Sequence, residues 1–297
     1  MRKHIKIIII SLLVLVILEG CHTEKNFIPS YLKIDSLNVD ASSIGGNNVQ
    51  QITTFQLYQN KQFLGTYPVP SQIPLDAEGK NNFIFAPYVK LNGSSQTYGS
   101  YLVLNPLDTF ITLSRNNTIN FTPKLVYRNK ARILWQEDFQ NSTSTLIPIS
   151  LEKGDTTEIV SRPFVLNNRF SGNTKCFAAT FENIDSFKSM DLGCFDVFKN
   201  LPLDGVSVYF EFDVKTDLPI QVALKRNSPT NGNKYVPYLV INPTGSVWKR
   251  FYIDLIYDIQ GQAAGTTFQI IYSIDKSASF SGSHEILFDN IRLSHLN

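Results

Sequence analysis

The chain has 297 residues, with 27 Lys and Arg against 25 Asp and Glu, and 43% of its residues are hydrophobic. That length suits two ordinary domains with cores of their own, and so balanced a charge leaves no basic surplus to recruit nucleic acid. Thirteen tyrosines and 21 phenylalanines, with prolines and glycines spread throughout, predict many short strands and exclude a long-helix architecture.

Arg2, Lys3 and Lys6 precede an apolar run from Ile7 to Leu18. The run is shorter than the roughly 20 residues a spanning helix needs and fits the apolar core of an export signal. It ends in Leu18-Glu19-Gly20-Cys21. This stretch resembles the lipobox of bacterial lipoproteins, with Glu19 where that pattern has a small residue. The resemblance implies a signal peptide over 1–20, diacylglycerol (palmitate-type acyl chains) on Cys21, and a tether over 21–27. Two or more acyl chains hold a protein on a membrane stably. No Asp follows Cys21, so the outer membrane is the expected location, with the cell-surface face favoured over the periplasmic one. Removing 1–20 leaves 24 residues of each charge.

The first unit is expected over 28–131. A strand is predicted through Tyr31–Val39, then a hairpin over Thr53–Pro68 that turns at Gln59-Asn60-Lys61, a strand pair over Asn82–Leu91, and strands over Thr109–Leu113 and Thr118–Tyr127. The hairpin, with its Leu64-Gly65-Thr66-Tyr67 return and Ile73-Pro74-Leu75 after it, resembles the immunoglobulin-like PEGA-type modules of surface proteins. The basic joint Arg128–Arg132 then leads into a second unit over 132–297.

There the alternation is sharper. Val206, Val208, Phe210, Phe212 and Val214 alternate with Ser207, Tyr209, Glu211 and Asp213; Phe251, Ile253 and Leu255 alternate with Tyr252 and Asp254; Phe268, Ile270, Tyr272 and Ile274 form a third strand. In the last strand apolar parity slips between Ile286/Phe288 and Ile291/Leu293, which predicts a β-bulge at Asp289-Asn290. The Glu137-Asp138-Phe139 opening, the Val247–Leu255 strand and the closing Leu287–Leu293 strand resemble the galactose-binding-like jelly rolls, to which many carbohydrate-binding modules belong. The predicted fold class is all-β, an immunoglobulin-like β-sandwich followed by a β-jelly-roll sandwich.

Candidate site residues are few. Cys176 and Cys194 form an even pair in an oxidising compartment, hence a disulfide, or else inert thiols. The jelly-roll resemblance implies a structural calcium at Glu137, Asp138 and Asp289, carboxylates that can equally serve strand ends and the bulge. Tyr209 with Glu211, and Tyr252 with Asp254, occupy the non-core faces of two strands and form a candidate glycan face, with Tyr235 and Tyr238 in the preceding strand region. Trp135 and Trp248 are expected in the core. Only His22, His284 and His295 remain after the signal. No zinc spacing, nucleophile elbow or phosphate loop occurs, so the expectation is a non-enzyme that requires no cofactor. The leading expectation is an interaction or accessory subunit of an outer-membrane assembly (transport, secretion or motility) with an outer-membrane protein partner. The alternative is a cell-surface glycan-binding lipoprotein.

Overall fold

The computed structural model describes residues 28–44, 52–94, 96–150, 155–160, 165–166, 169–170, 175–182, 188–245, 247–276 and 281–297. Cys21, the signal and the tether lie outside them. Among the described residues no helix is long and apolar enough to cross a membrane. The protein is all-β, with one short helix, α1 (Ile256–Ile259), and a 3-10 turn at Ser42–Ile44 among the described residues.

The first unit uses β1 (Ser30–Ile34), β2 (Asn38–Asp40), β3 (Thr54–Gln59), β4 (Gln62–Pro68), β5 (Ser71–Leu75), β6 (Gly79–Lys90), β7 (Tyr98–Ser100), β8 (Leu107–Leu113), β9 (Thr118–Asn120) and β10 (Lys124–Val126). One sheet runs β4-β3-β6, with β7 and β8 sharing the far edge of β6; against it lie β5-β1-β9 and the pair β10-β2. Leu32, Ile34, Phe55, Leu57, Ile73, Phe83, Phe85 and Ile111 meet between them in one buried cluster. The β3–β4 hairpin turns on Asn60 and Lys61, both at positive φ (48° and 69°), the twist that a two-residue hairpin loop needs.

Three expectations change here. The strand pair over Asn82–Leu91 is one 12-residue strand, β6, whose inward positions Phe83, Phe85 and Val89 keep a single parity. The strand over Thr118–Tyr127 is two, β9 and β10, broken at Pro123, which has no N–H for a ladder. The segment Tyr31–Val39 is likewise two strands, β1 and β2.

The second unit contains β11 (Ala131–Glu137), β12 (Leu146–Ser150), β13 (Thr156–Val160), β14 (Val165–Leu166), β15 (Arg169–Phe170), β16 (Cys176–Phe181), β17 (Lys188–Cys194), β18 (Val208–Lys215), β19 (Ile220–Ser228), β20 (Gly232–Ile241), β21 (Lys249–Asp254), β22 (Thr267–Lys276) and β23 (His284–Leu296). A six-stranded sheet runs β13-β16-β23-β18-β21 with β11 also on β23; a five-stranded sheet runs β12-β17-β22-β19-β20; β14 and β15 pair alone. The two larger sheets enclose Trp135, Phe210, Phe212, Phe268, Tyr272, Phe288 and Ile291 in a second core. The bulge lies where parity placed it. Glu211 pairs with Arg292 but Asp213 with Asp289, one extra residue on β23, and Asn290 takes φ 49°.

Candidate ligand face

Each sheet of the second unit has an outer face, and the two have opposite fates. On β18 the core takes Val208, Phe210, Phe212 and Val214, so Tyr209, Glu211 and Asp213 point outward. Register sets Tyr209 beside Asp254, Glu211 beside Tyr252 and Asp213 beside Arg250. The structure therefore does bring Tyr209, Glu211, Tyr252 and Asp254 together, but all four are buried. The first unit covers them. Tyr101 donates its hydroxyl hydrogen bond to Glu211, and Tyr209 donates to the Ser100 carbonyl at 2.8 Å. The Asp254 N–H donates to Asn92 Oδ1 at 2.9 Å, and Tyr252 bridges Leu91. The Tyr101 ring meets Tyr209 and Tyr252 edge-on at 5.0 and 5.3 Å. The expected glycan face is the seam between the two units, because its tyrosines found protein hydroxyls and carbonyls to pair with.

The seam is also charged. Arg250 Nη2 lies 2.7 Å from Glu211 Oε2 and Nη1 2.9 Å from Asp213 Oδ2, with all three side chains covered. Arg292 donates to Tyr127 Oη at 2.5 Å and to Gln136 Oε1 at 2.9 Å. Burial pushes Asp213 up to about 6, against the downward pull of Arg250 and the Asn290 amide, and its Oδ1 has no hydrogen-bond partner among the described residues. Burial opposes the charge on Arg250, yet Asp213, Tyr252 and Glu211 together hold it firmly protonated. The Tyr101 and Tyr252 hydroxyls are pushed well above their usual range by burial first and by the Glu211 charge. A buried pair of this kind holds geometry, since removal of either partner strands a charge.

The calcium expectation is not met by an assembled ligand set. Glu137 accepts from the Phe139 N–H at 2.9 Å and from both the N–H and the hydroxyl of Thr145 at 2.7 Å. That hydroxyl in turn accepts from the Trp135 indole at 2.8 Å. Asp138 accepts from the Gln140 N–H at 3.2 Å, and Asp289 from the Asn290 N–H at 2.7 Å inside the bulge. Each carboxylate serves its own turn, and among the described residues no three His, Cys, Asp or Glu side chains converge as metal ligands.

The expected disulfide is absent as well. Cys176 and Cys194 are buried and not bonded to each other, on strands of different sheets. Cys194 faces the core between the sheets, whereas Cys176 packs in a separate cluster with Ala178, Trp248 and Leu287. The Cys194 thiol donates to the Asp196 carbonyl at 3.0 Å, and burial pushes it up to about 12, so it is an inert thiol.

The outer face of the five-stranded sheet is exposed at Tyr235 and half-buried at Asp191, Gln221 and Ser273, while Gly193, Ile271 and Ala223 on it are buried. Strands β17, β22, β19 and β20 turn Met190, Leu192, Ile270, Tyr272, Val222 and Leu224 into the core, which leaves Asp191, Gly193, Ile271, Ser273, Gln221, Ala223 and Tyr235 on the other side. Gly193, Ile271, Ala223 and Pro237 stand in one cross-strand row and form a low floor. A Cβ on Gly193 would come within 2.4 Å of Ile149 Cδ1, so Ile149 lies over the sheet there. Tyr235, 43% exposed, reaches along the face until its hydroxyl meets Ser273 Oγ at 2.7 Å and Gln221 Oε1 at 3.4 Å. Ser273 donates to Asp191 Oδ1 at 2.6 Å. The result is a half-exposed aromatic ring held by an Asp–Ser–Tyr–Gln string across four strands. Such a ring offers an apolar plane beside acceptors and donors, which is what the C–H face and hydroxyls of a sugar require.

Sequence reasoning placed Tyr235 only in a strand region and did not single out Asp191, Gln221 or Ser273. The polar parity of β22 (Gln269, Ser273, Asp275) was readable as the complement of its core set. The partnership with Asp191 was not, because it depends on how β17 pairs with β22.

No family model matches the chain, and no curated protein matches it. Among solved structures it is similar to a carbohydrate-binding module of the β-sandwich superfamily studied for promiscuous specificity, at 12% identity and TM-score 0.36, over 83% of this chain and 87% of the other. It is also similar to a xylan-binding domain from Paenibacillus barcinonensis, at 14% identity and TM-score 0.36, over 55% of this chain and 99% of that one. A family 11 carbohydrate-binding module from Clostridium thermocellum gives 19% identity and TM-score 0.35, over 55% and 93%. Likeness this distant assigns neither a ligand nor a family to the chain.

Proposed function

We propose that this protein is a non-catalytic glycan-binding lipoprotein, anchored in a bacterial outer membrane by lipid on Cys21. The observation that carries the ligand reading is the open face of the five-stranded sheet, where Tyr235 is exposed yet fixed by Ser273 and Gln221 beside Asp191. The Leu18-Glu19-Gly20-Cys21 stretch supports the anchor. The glycan reading takes precedence over the accessory-subunit expectation because the tyrosines and acids of the other face are already spent on holding the two units together. A glycan array probed with the full chain tests it. The expected result is a signal that Tyr235→Ala reduces at least about tenfold, the loss of one stacking contact with its hydrogen bonds. An array at background throughout would refute the ligand.

One observation favours an interaction subunit as a second reading. The outer face of the β4-β3-β6 sheet carries Phe63 at 52% exposure in ring contact with Tyr58, and Phe110 on β8 is 62% exposed with the Lys80 ammonium over its ring, aromatic surface of the kind that protein interfaces use. Purification of the lipidated protein from its native membrane in mild detergent tests this. A stoichiometric outer-membrane protein in the eluate is the supporting outcome, and recovery of the chain alone contradicts it.

A further inference from the structure

The basic joint between the units is not used by the face described above. A cleft of about 440 Å³ opens there, lined by Ser43, Ile44, Arg128, Asn129, Ala131, Arg132 and Ile133. Two arginines and no acidic residue are among its lining residues. Arg115, by contrast, meets Asp76 and Glu78, and Arg250 meets Glu211 and Asp213. Arg128 and Arg132 have no ion pair among the described residues, although both are fixed in place.

The fixing comes from uncharged carbonyl and amide oxygens. Arg128 Nε donates to the Leu104 carbonyl at 3.2 Å, which leaves the two terminal nitrogens of its fork unspent among the described residues. Arg132 Nη1 donates to the carbonyls of Asn129 and Ala131 at 3.4 and 3.2 Å. With the Asn297 amide oxygen turned toward it, Arg132 Nε and Nη2 donate there at 3.0 and 3.3 Å. None of these partners carries a negative charge. A tight turn closed by the Ala131 N–H on the Arg128 carbonyl at 2.9 Å sets the two arginines at the rim, and the exposed Ser43 adds a hydroxyl. The cleft thus holds an excess of donors and two uncompensated positive charges on a preorganised backbone, the complement of an oxyanion.

We propose that this cleft binds the oxyanion of a small acidic ligand, a carboxylate or a phosphate carried on a sugar unit. The site is separate from Tyr235, so it stands whether or not neutral glycans bind the open face.

Isothermal titration of the full chain with glucuronate, inorganic phosphate and glucose tests the proposal. Saturable binding of glucuronate or phosphate is expected, with none by glucose. The tighter of the two anions identifies the source, sugar acid or phosphate ester. Affinity should fall about tenfold or more in Arg128→Gln and in Arg132→Gln, the loss of one charge-assisted contact. Ser43→Glu, on an exposed position that leaves the fold alone, should abolish binding by placing a carboxylate in the cleft. Arg128→Lys should restore part of what Arg128→Gln loses. Tyr235→Ala should change nothing here, which separates this site from the glycan face. Failure of both anions to saturate, equal binding of glucose, or unchanged affinity in Ser43→Glu would overturn it.

Discussion

The two outer faces of the second unit start from the same chemistry. One offers Tyr209, Glu211, Tyr252 and Asp254 on alternating strand positions; the other offers Tyr235, Asp191, Ser273 and Gln221. The first is buried beneath Tyr101 and Asn92 of the N-terminal unit, and the second keeps Tyr235 exposed and its polar partners half-exposed. The difference lies in the arginines and the cover. Arg250 pairs with Glu211 and Asp213 of the buried face, which offsets part of the cost of desolvating them. The open face carries Asp191 with, among the described residues, only a serine hydroxyl on it, a partnership that a ligand hydroxyl can join. Equivalent side chains become adhesive or receptive according to what their neighbours already satisfy.

The comparison breaks first at Arg250. Arg250→Met leaves Glu211 and Asp213 buried and unpaired, and chemical denaturation should show a loss of about 3–5 kcal/mol. A loss near zero would mean that the seam carries little of the stability. Tyr101→Phe removes the one hydroxyl from the first unit that reaches Glu211. It should cost about 1.5–3 kcal/mol, as expected for a buried hydrogen bond to a charged acceptor, and do so with little change in m-value.

Asp213 makes the seam sensitive to acid in an unusual direction. Its carboxyl is raised to about 6 in the folded state from an ordinary 3.8. Between those values the native protein holds a proton that the unfolded chain has released. The unfolding free energy contributed by this group therefore rises as pH falls from about 6 toward 4. Above pH 6 the buried charge is a constant penalty. Relative to Asp213→Asn, which cannot titrate, the native protein should gain on the order of 1–3 kcal/mol across that window. Parallel pH profiles for the two proteins would contradict the assignment. At the small end, Tyr235→Ala on the open face should change stability by less than about 0.5 kcal/mol, with its whole effect on glycan binding.

Much of the fold was legible because sheet patterning has a period of two. The parity slip at Asp289-Asn290 located the bulge, and Asn60-Lys61 located a hairpin turn, since both are consequences of local geometry. The core face of β18 and of β22 followed from alternation alone. The same alternation cannot say which polar face another unit will cover. Tyr209 and Tyr235 read alike until the first unit is docked, and that docking depends on Tyr101, Asn92 and Tyr127, more than 80 residues away along the chain from the strands they meet. The cysteines failed for a related reason. An even count argues for pairing, but Cys176 and Cys194 face different sides of the sheet layers.

The most direct test of the contrast is hydrogen–deuterium exchange of the full chain with and without the strongest ligand from the glycan array. The account predicts new protection in β17, β19, β20 and β22, and no change in β18 and β21, whose outer face is already sealed. Protection confined to the β4-β3-β6 sheet, or spread across the seam with the five-stranded sheet unaffected, would contradict it and move the binding surface away from Tyr235.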